Sequence, residues 1–426
     1  MFTFVITLAF LLAVAVLLTL VARGTPVRQV RVIGEGESVG GVRTPEFRDA
    51  CQALSATTLT PTHRIELLCN GNELFDRLFT DLQGARALIT FHVFWFRGGR
   101  IADRVHGVLS ERARAGVRTL LLLDYYGTDG LSAGYVESLR DAGVQVADFR
   151  PPRWNTLYKA QHRMHVRAVV VDGQLGYTGG FAIDDRWMGD GRHRLEWRDT
   201  NVRIQGSAVS QLQASFAANW AEATGELILG DDVFPRGLAA PGGVQRAGIL
   251  FSAPSYGSTN AERFFIVSLA GARERWWLTS AYFIPNRSMR RLMCDAVERG
   301  VDVRVLTPGA NTDRASTWHA ARAHYEELLD GGVRIYEYRP TMIHAKTMVV
   351  DGVWSMVGSL NLDNRSLVLN DELALVAWDA TVGAQLEQIF VEDLEHADEV
   401  SLDEVRQRAW PARAKERAAT LVSRLL

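Results

Sequence analysis

His344-Ala345-Lys346-Thr347-Met348-Val349-Val350-Asp351-Gly352 reads as a strand with chemistry at its head, and the chain carries the pattern twice. The other copy is His165-Val166-Arg167-Ala168-Val169-Val170-Val171-Asp172-Gly173. Beyond the next apolar run come Gly358-Ser359-Leu360-Asn361 in one case and Gly179-Gly180-Phe181-Ala182 in the other. The run after each histidine is β-branched and apolar, which predicts a buried strand. Residues two apart on a strand share a face, so His344 projects with Lys346 and His165 with Arg167. Each aspartate stands an odd step from its histidine, beside a turn glycine, where it fixes backbone rather than touching a substrate.

Around these copies the chain repeats itself. Residues 111–124 (ERARAGVRTLLLLD) echo 295–308 (DAVERGVDVRVLTP), each a helix ending at Gly116 or Gly300 and running into a buried strand. Residues 139–146 (LRDAGVQV) echo 329–335 (LDGGVRI) in the same way. Helical patterns at 73–87 and 261–273 each lead into an apolar strand, at 88–96 and 276–284. Helices alternating with strands predict an α/β fold. The expected architecture is two pseudo-twofold-related lobes, residues 44–230 and 245–400, each a mainly parallel sheet flanked by helices. A connector rich in Gly, Pro and Asp, residues 230–248, joins them. The aromatic run Phe91 to Phe96 reads as core strand, with a second role lining an acyl-chain groove.

The 426 residues suit two such lobes, and 47% hydrophobic content is enough for large cores. A net charge of −2 shows no bulk basic surplus, which argues against a nucleic-acid partner. Cys51, Cys69 and Cys294 stand far apart with no CxxC pair, so neither a zinc site nor any other metal or cofactor is called for. Residues 2–22 are uncharged and nearly all apolar, and as a helix they reach about 30 Å, the thickness of a bilayer core. Arg23, Arg28 and Arg31 follow the run and none precedes it. The expectation is an N-terminal transmembrane helix within residues 1–31, a single-pass anchor in the cell membrane with the lobes on the cytoplasmic side. Residues 401–426 mix arginines with Trp410 and leucines and predict a basic amphipathic C-terminal helix, either on a membrane surface or docked on the lobes.

Cleaving a phosphodiester without a metal takes a nucleophile, an acid for the leaving oxygen, and cations or donors for the remaining oxygens. Two histidines brought together by a twofold axis supply the first two, and Lys346 and Arg167 the third. Gly180 or Ser359 lets backbone approach an anion closely, and Asn361 can donate to it.

The doubled pattern resembles the HxKxxxxD signature of the phospholipase D superfamily. Trp197-Arg198-Asp199-Thr200-Asn201-Val202-Arg203-Ile204-Gln205-Gly206, Tyr282-Phe283-Ile284-Pro285, the stretch from Gly358 to Ser366 and Asn370-Asp371-Glu372 look like its bacterial cardiolipin synthase branch. The likeness spans residues 65–426. It implies His165, Arg167, Asp172, His344, Lys346 and Asp351 as catalytic signature residues and a phosphohistidine intermediate on His165. His344 would protonate the leaving alcohol. It further implies that a carboxylate from the opposite half orients each histidine, Glu372 for His165 and Asp199 for His344. The implied substrate is a phospholipid such as phosphatidylglycerol, drawn from the membrane; the oligomeric state is left open. Arg167 stands where the family has lysine and Ala182 where it usually has asparagine. A hydrolytic phospholipase D, a nuclease and a degenerate lipid-binding pseudoenzyme are the competing readings.

Overall fold

The computed structural model describes residues 6–8, 10–14, 30, 32, 40–152, 161–237, 245–255 and 257–420. One continuous sheet of fifteen strands forms its frame. The first half supplies β1 (Thr60–Cys69), β2 (Leu88–Val93), β3 (Arg118–Asp124), β4 (Gln145–Phe149), β5 (Arg167–Val171), β6 (Leu175–Gly179) and β7 (Thr200–Gly206). The second supplies β8 (Gln245–Ser252), β9 (Arg275–Ser280), β10 (Asp302–Pro308), β11 (Arg334–Tyr338), β12 (Lys346–Val350), β13 (Trp354–Gly358), β14 (Glu372–Trp378) and β15 (Ala397–Glu399).

From one edge inward the order is β4-β3-β2-β5-β6-β7-β1, and from the other β11-β10-β9-β12-β13-β14-β8, with β15 added outside β11. The halves therefore match strand for strand. They meet where β1 pairs antiparallel with β8, through Pro61 and Arg246.

The expectation of a mainly parallel sheet in each lobe fails in two ways. The lobes share one sheet. Within each half, only the outer strands β2-β3-β4 and β9-β10-β11 run parallel. The strands nearer the centre are antiparallel. Connection length explains the split. Parallel neighbours need a crossover, and the helices Arg100–Arg114 and Ala133–Asp141 supply it in the first half. β5 and β6 are joined by a tight turn through Asp172 (φ 51°) and Gly173 (φ 64°), and β12 and β13 by Asp351 (φ 49°) and Gly352 (φ 67°). Two successive positive φ values make a hairpin turn, for which Asp-Gly is well suited.

Amphipathic helices cover the faces. Helix Arg100–Arg114 buries Ile101, Val105, Val108 and Leu109 against β2 and β3, whose residues are almost all buried on both faces. Helix Pro45–Ser55, within the stretch expected to form the first lobe, packs on the second half. Val42 N donates to Gly271 O (3.1 Å), and the Phe47 ring meets Trp354 edge-on at 5.3 Å. Helix Trp410–Thr420 carries Pro411 in its first turn, where the missing N–H costs nothing. It docks through buried Glu416, which accepts from Arg408 and pairs with Arg322 at 3.6 Å.

Among the described residues, no helix is long and apolar enough to cross a membrane. The expected anchor at residues 2–22 lies for the most part outside the described residues, as do 421–426 at the other terminus.

Candidate functional site

The tips that precede β5 and β12 do not pair within their own halves. Each bridges in parallel to the chain just ahead of the other half's carboxylate: Met164 to Asp371, and Ile343 to Arg198. Asp371 N donates to Arg163 O (2.9 Å), Arg198 N to Met342 O (3.0 Å) and His344 N to Arg198 O (2.6 Å). These exchanges carry Glu372 to His165 and Asp199 to His344. His165 Nδ1 lies 2.9 and 3.0 Å from the two Glu372 oxygens. His344 Nδ1 lies 3.1 Å from Asp199 Oδ2. All four side chains are buried.

The carboxylates are held in turn. Glu372 accepts from Ser359 Oγ (2.5 Å) and Asn370 Nδ2 (3.3 Å). Asp199 accepts from Trp187 Nε1 (2.8 Å) and Thr200 N (2.8 Å). Gly180 occupies the place that Ser359 holds in the other half. A Cβ there would stand 2.4 Å from Asp199 Oδ1 and 2.8 Å from His344 O, so only glycine admits this approach.

The cations reach the same place by one device. Lys346 Nζ donates to His344 O (2.5 Å) and stands 2.9 Å from each ring nitrogen. Arg167 Nη1 donates to His165 O (2.8 Å), and its Nε to Phe181 O (3.2 Å). The longer side chain thus spends part of its fork on a second carbonyl. Asn361 Oδ1 accepts from Tyr282 N (3.2 Å), which leaves its amide nitrogen as the donating end, and Ala182 has no counterpart to offer.

His165, Arg167, His344 and Asn361 line one cavity of about 270 Å³, together with Phe94, Trp95, Arg186, Trp187, Trp197, Tyr282, Arg314 and Arg365. Burial dominates its electrostatics. It raises Glu372 to about 8 against Ser359's hydrogen bond, and Asp199 to about 6 against Lys346's charge. It lowers Lys346 to about 7 and Arg167 to about 10, with carboxylates pulling the other way. Both imidazoles fall well below their ordinary value, first by burial and then by the neighbouring cations. The free site therefore holds neutral histidines beside two basic groups.

Asp172 and Asp351 stand apart. Each lies at the far end of its strand, about 20 Å from its histidine at some 3.3 Å per residue. Asp172 accepts from Arg86 N (2.9 Å), Ala87 N (2.8 Å) and Leu88 N (2.9 Å). Asp351 accepts from Arg273 N (3.0 Å), Glu274 N (2.9 Å) and Arg275 N (2.8 Å). Their place among the signature residues is structural: they tie the starts of β2 and β9 to the hairpins. Asp172→Ala leaves three backbone donors without their acceptor and is expected to cost about 2–4 kcal/mol. Turnover per folded molecule should stay within about twofold of the parent. Denaturant titration with activity normalised to folded protein checks this; a fully stable, inactive variant would return Asp172 to the chemistry.

Aromatic residues wall the cavity beside the motif residues. Phe94 and Trp95 follow β2 rather than lying in it, which turns them from core to wall. Trp187 and Trp197 flank His344, with ring centroids 5.0 and 5.3 Å away. Arg186 was findable, because Asp184-Asp185-Arg186-Trp187 continues the repeat that reads Asp363-Asn364-Arg365-Ser366 in the second copy. Away from the cavity lining, Asp190, His193 and Glu196 bring possible metal-ligand atoms within 4.8 Å of one another on an outer loop. One Glu196 oxygen already accepts from Asp190 N (3.0 Å).

Comparison with known proteins places this geometry. Residues 265–394 match the family described as "Cardiolipin synthase, PLD-like domain". Cardiolipin synthase A of Pseudomonas fluorescens (strain SBW25) is 35% identical over 368 residues, covering 85% of this chain and 75% of that protein. Cardiolipin synthase of Geobacillus kaustophilus (strain HTA426) is 33% identical over 361 residues, covering 84% and 72%. Among solved structures, phosphatidylserine synthase of Haemophilus influenzae Rd KW20 shares the fold with a TM-score of 0.69 at 14% identity, covering 89% of this chain and 99% of that one. With its doubled histidine motif built across a single sheet, the chain belongs to the cardiolipin synthase family of the phospholipase D superfamily.

Proposed function

We propose that this protein is a phosphatidyltransferase that joins phospholipids into cardiolipin or a related lipid, through a phosphohistidine on His165. The observation that carries the reading is the crossed pairing: each histidine is oriented by a carboxylate from the other half, and both line one cavity with Arg167. A carboxylate on Nδ1 directs that proton outward and turns Nε2 toward the substrate.

In the first step His165 Nε2 attacks phosphorus. The N–P bond forms, the P–O bond to the leaving alcohol breaks, and His344 passes its proton to that oxygen. In the second step the acceptor hydroxyl gives its proton to His344, its oxygen bonds phosphorus, and the N–P bond breaks. Arg167 and Lys346 hold the remaining phosphoryl oxygens as charge builds on them. His344 is neutral in the free site, and the negative phosphodiester favours its protonated form on binding. Arg167 keeps the charge of the family's lysine, so the first motif retains its electrostatic part. The phosphatidyl donor and acceptor are read as phosphatidylglycerol, supplied by the membrane that residues 2–22 would anchor.

The purified protein, incubated with phosphatidylglycerol micelles, is expected to convert two substrate molecules to one cardiolipin and one glycerol, read by mass spectrometry. Phosphatidic acid as the sole product would make it a hydrolase, and no turnover of any phospholipid would make it a binding protein.

A further inference from the structure

Besides Arg167, four arginines line the cavity: Arg163, Arg186, Arg314 and Arg365. Three are held by the protein. Arg163 donates to the Asp124 carboxylate (3.1 Å) and to Phe149 O (3.1 Å). Arg186 donates to both oxygens of Asp184, at 3.0 and 2.8 Å. Arg365 donates to Gln161 O (3.0 Å) and Asn370 Oδ1 (3.4 Å). Arg314 differs. It is exposed, it opens the helix Ala315–Arg322, and among the described residues no hydrogen bond or ion pair holds its guanidinium.

Asp313 is engaged by the Tyr282 hydroxyl (2.8 Å). Asp363 is engaged by Ser366 N (2.8 Å). Arg314 and Arg365 line the same cavity, and the charge of Arg314 adds to the lowering of Arg365 by burial, which Asp363 opposes. A phosphate between them would be gripped from both sides, for which planar forks are suited.

We propose that Arg314 and Arg365 form a second phosphate subsite, which selects an acceptor lipid carrying a phosphate of its own. The proposal rests on phosphatidyl transfer as the reaction. Joining two phospholipids brings two phosphates into one site, separated by the acceptor's glycerol headgroup. The buried pair of Arg167 and Lys346 serves the reacting phosphorus. The acceptor's phosphate arrives with its hydroxyl and meets the arginines at the mouth. Water and simple alcohols carry no phosphate and gain nothing there.

A competition assay isolates the subsite. Phosphatidylglycerol micelles are supplied with an excess of a short neutral alcohol, and the ratio of cardiolipin to phosphatidyl-alcohol is measured by mass spectrometry. The donor is common to both products, so the ratio reports acceptor choice alone. Arg314→Ala is expected to lower it roughly tenfold, the scale of one charge-assisted contact, and Arg314→Lys by less. The loss should fall on KM for the lipid acceptor. A ratio equal to the parent's overturns the proposal. So does an equal loss of both products, which would assign Arg314 to the shared chemistry. A parent protein that makes neither product refutes phosphatidyl transfer itself, and the subsite with it.

Discussion

His344→Ala is expected to lower turnover with phosphatidylglycerol by at least about 10⁴-fold, while a substrate whose leaving group needs no proton still leaves its phosphoryl group stranded on His165. The two imidazoles have separate tasks. On the proposed mechanism His344 supplies a proton to a poor leaving group and later takes one from the acceptor; without it, neither alkoxide departure nor acceptor attack would have a partner. His165 keeps its Glu372 contact in the variant, since that pair lies 2.9 Å apart and owes nothing to the His344 ring. A phosphodiester with a leaving group that needs no proton should therefore still phosphorylate the variant, once. The measurement is peptide mass spectrometry after such a single turnover, with the adduct identified by its lability in acid and persistence in base. An adduct on the peptide holding His165 is the expected result. Recovery of parent-like turnover, or an adduct on the His344 peptide of a His165→Ala variant, would reverse the assignment.

Glu372→Gln is expected to cost about 10³-fold in turnover while making the fold more resistant to alkaline pH. Glutamine keeps the volume and the contacts with Ser359 and Asn370. It cannot favour the tautomer with hydrogen on Nδ1, so Nε2 of His165 loses its lone pair for part of the population. The stability effect has a definite sign. Burial raises Glu372 from an ordinary 4.5 to about 8, so the fold prefers its protonated form. That contribution is fully present below 4.5 and is lost as pH rises through 8. Glutamine has nothing to ionise. The melting temperature of the variant relative to the parent should therefore climb between pH 5 and 9, and an identical difference at both would contradict a buried, raised Glu372.

Much of this protein was legible along the chain because its information is local and doubled. One His-x-Lys at the head of an apolar run means little. Two copies, each with an Asp-Gly turn and a glycine-led segment after the next strand, mean a duplicated α/β unit. The same Asp-Gly turns also carried the news that β5–β6 and β12–β13 are hairpins, against the parallel sheets that alternating helices suggest. Trp197 and Tyr282 were legible only as members of stretches that resemble the family, and Trp187 gave no signal: an aromatic beside a strand looks the same whether it faces a core or a cavity.

By itself the sequence determined the repeat, the residue types of the site and the face that His165 shares with Arg167 and His344 with Lys346, because strand periodicity settles them within a few residues. Only the tertiary structure decided that Glu372 belongs to His165 and Asp199 to His344, that Asp172 and Asp351 bind backbone at the far ends of their strands, and that Arg314 and Arg365 line one cavity. Those contacts join residues far apart in the chain. They exist because the two halves share one sheet and exchange strand tips across its centre, a pairing that no local pattern encodes.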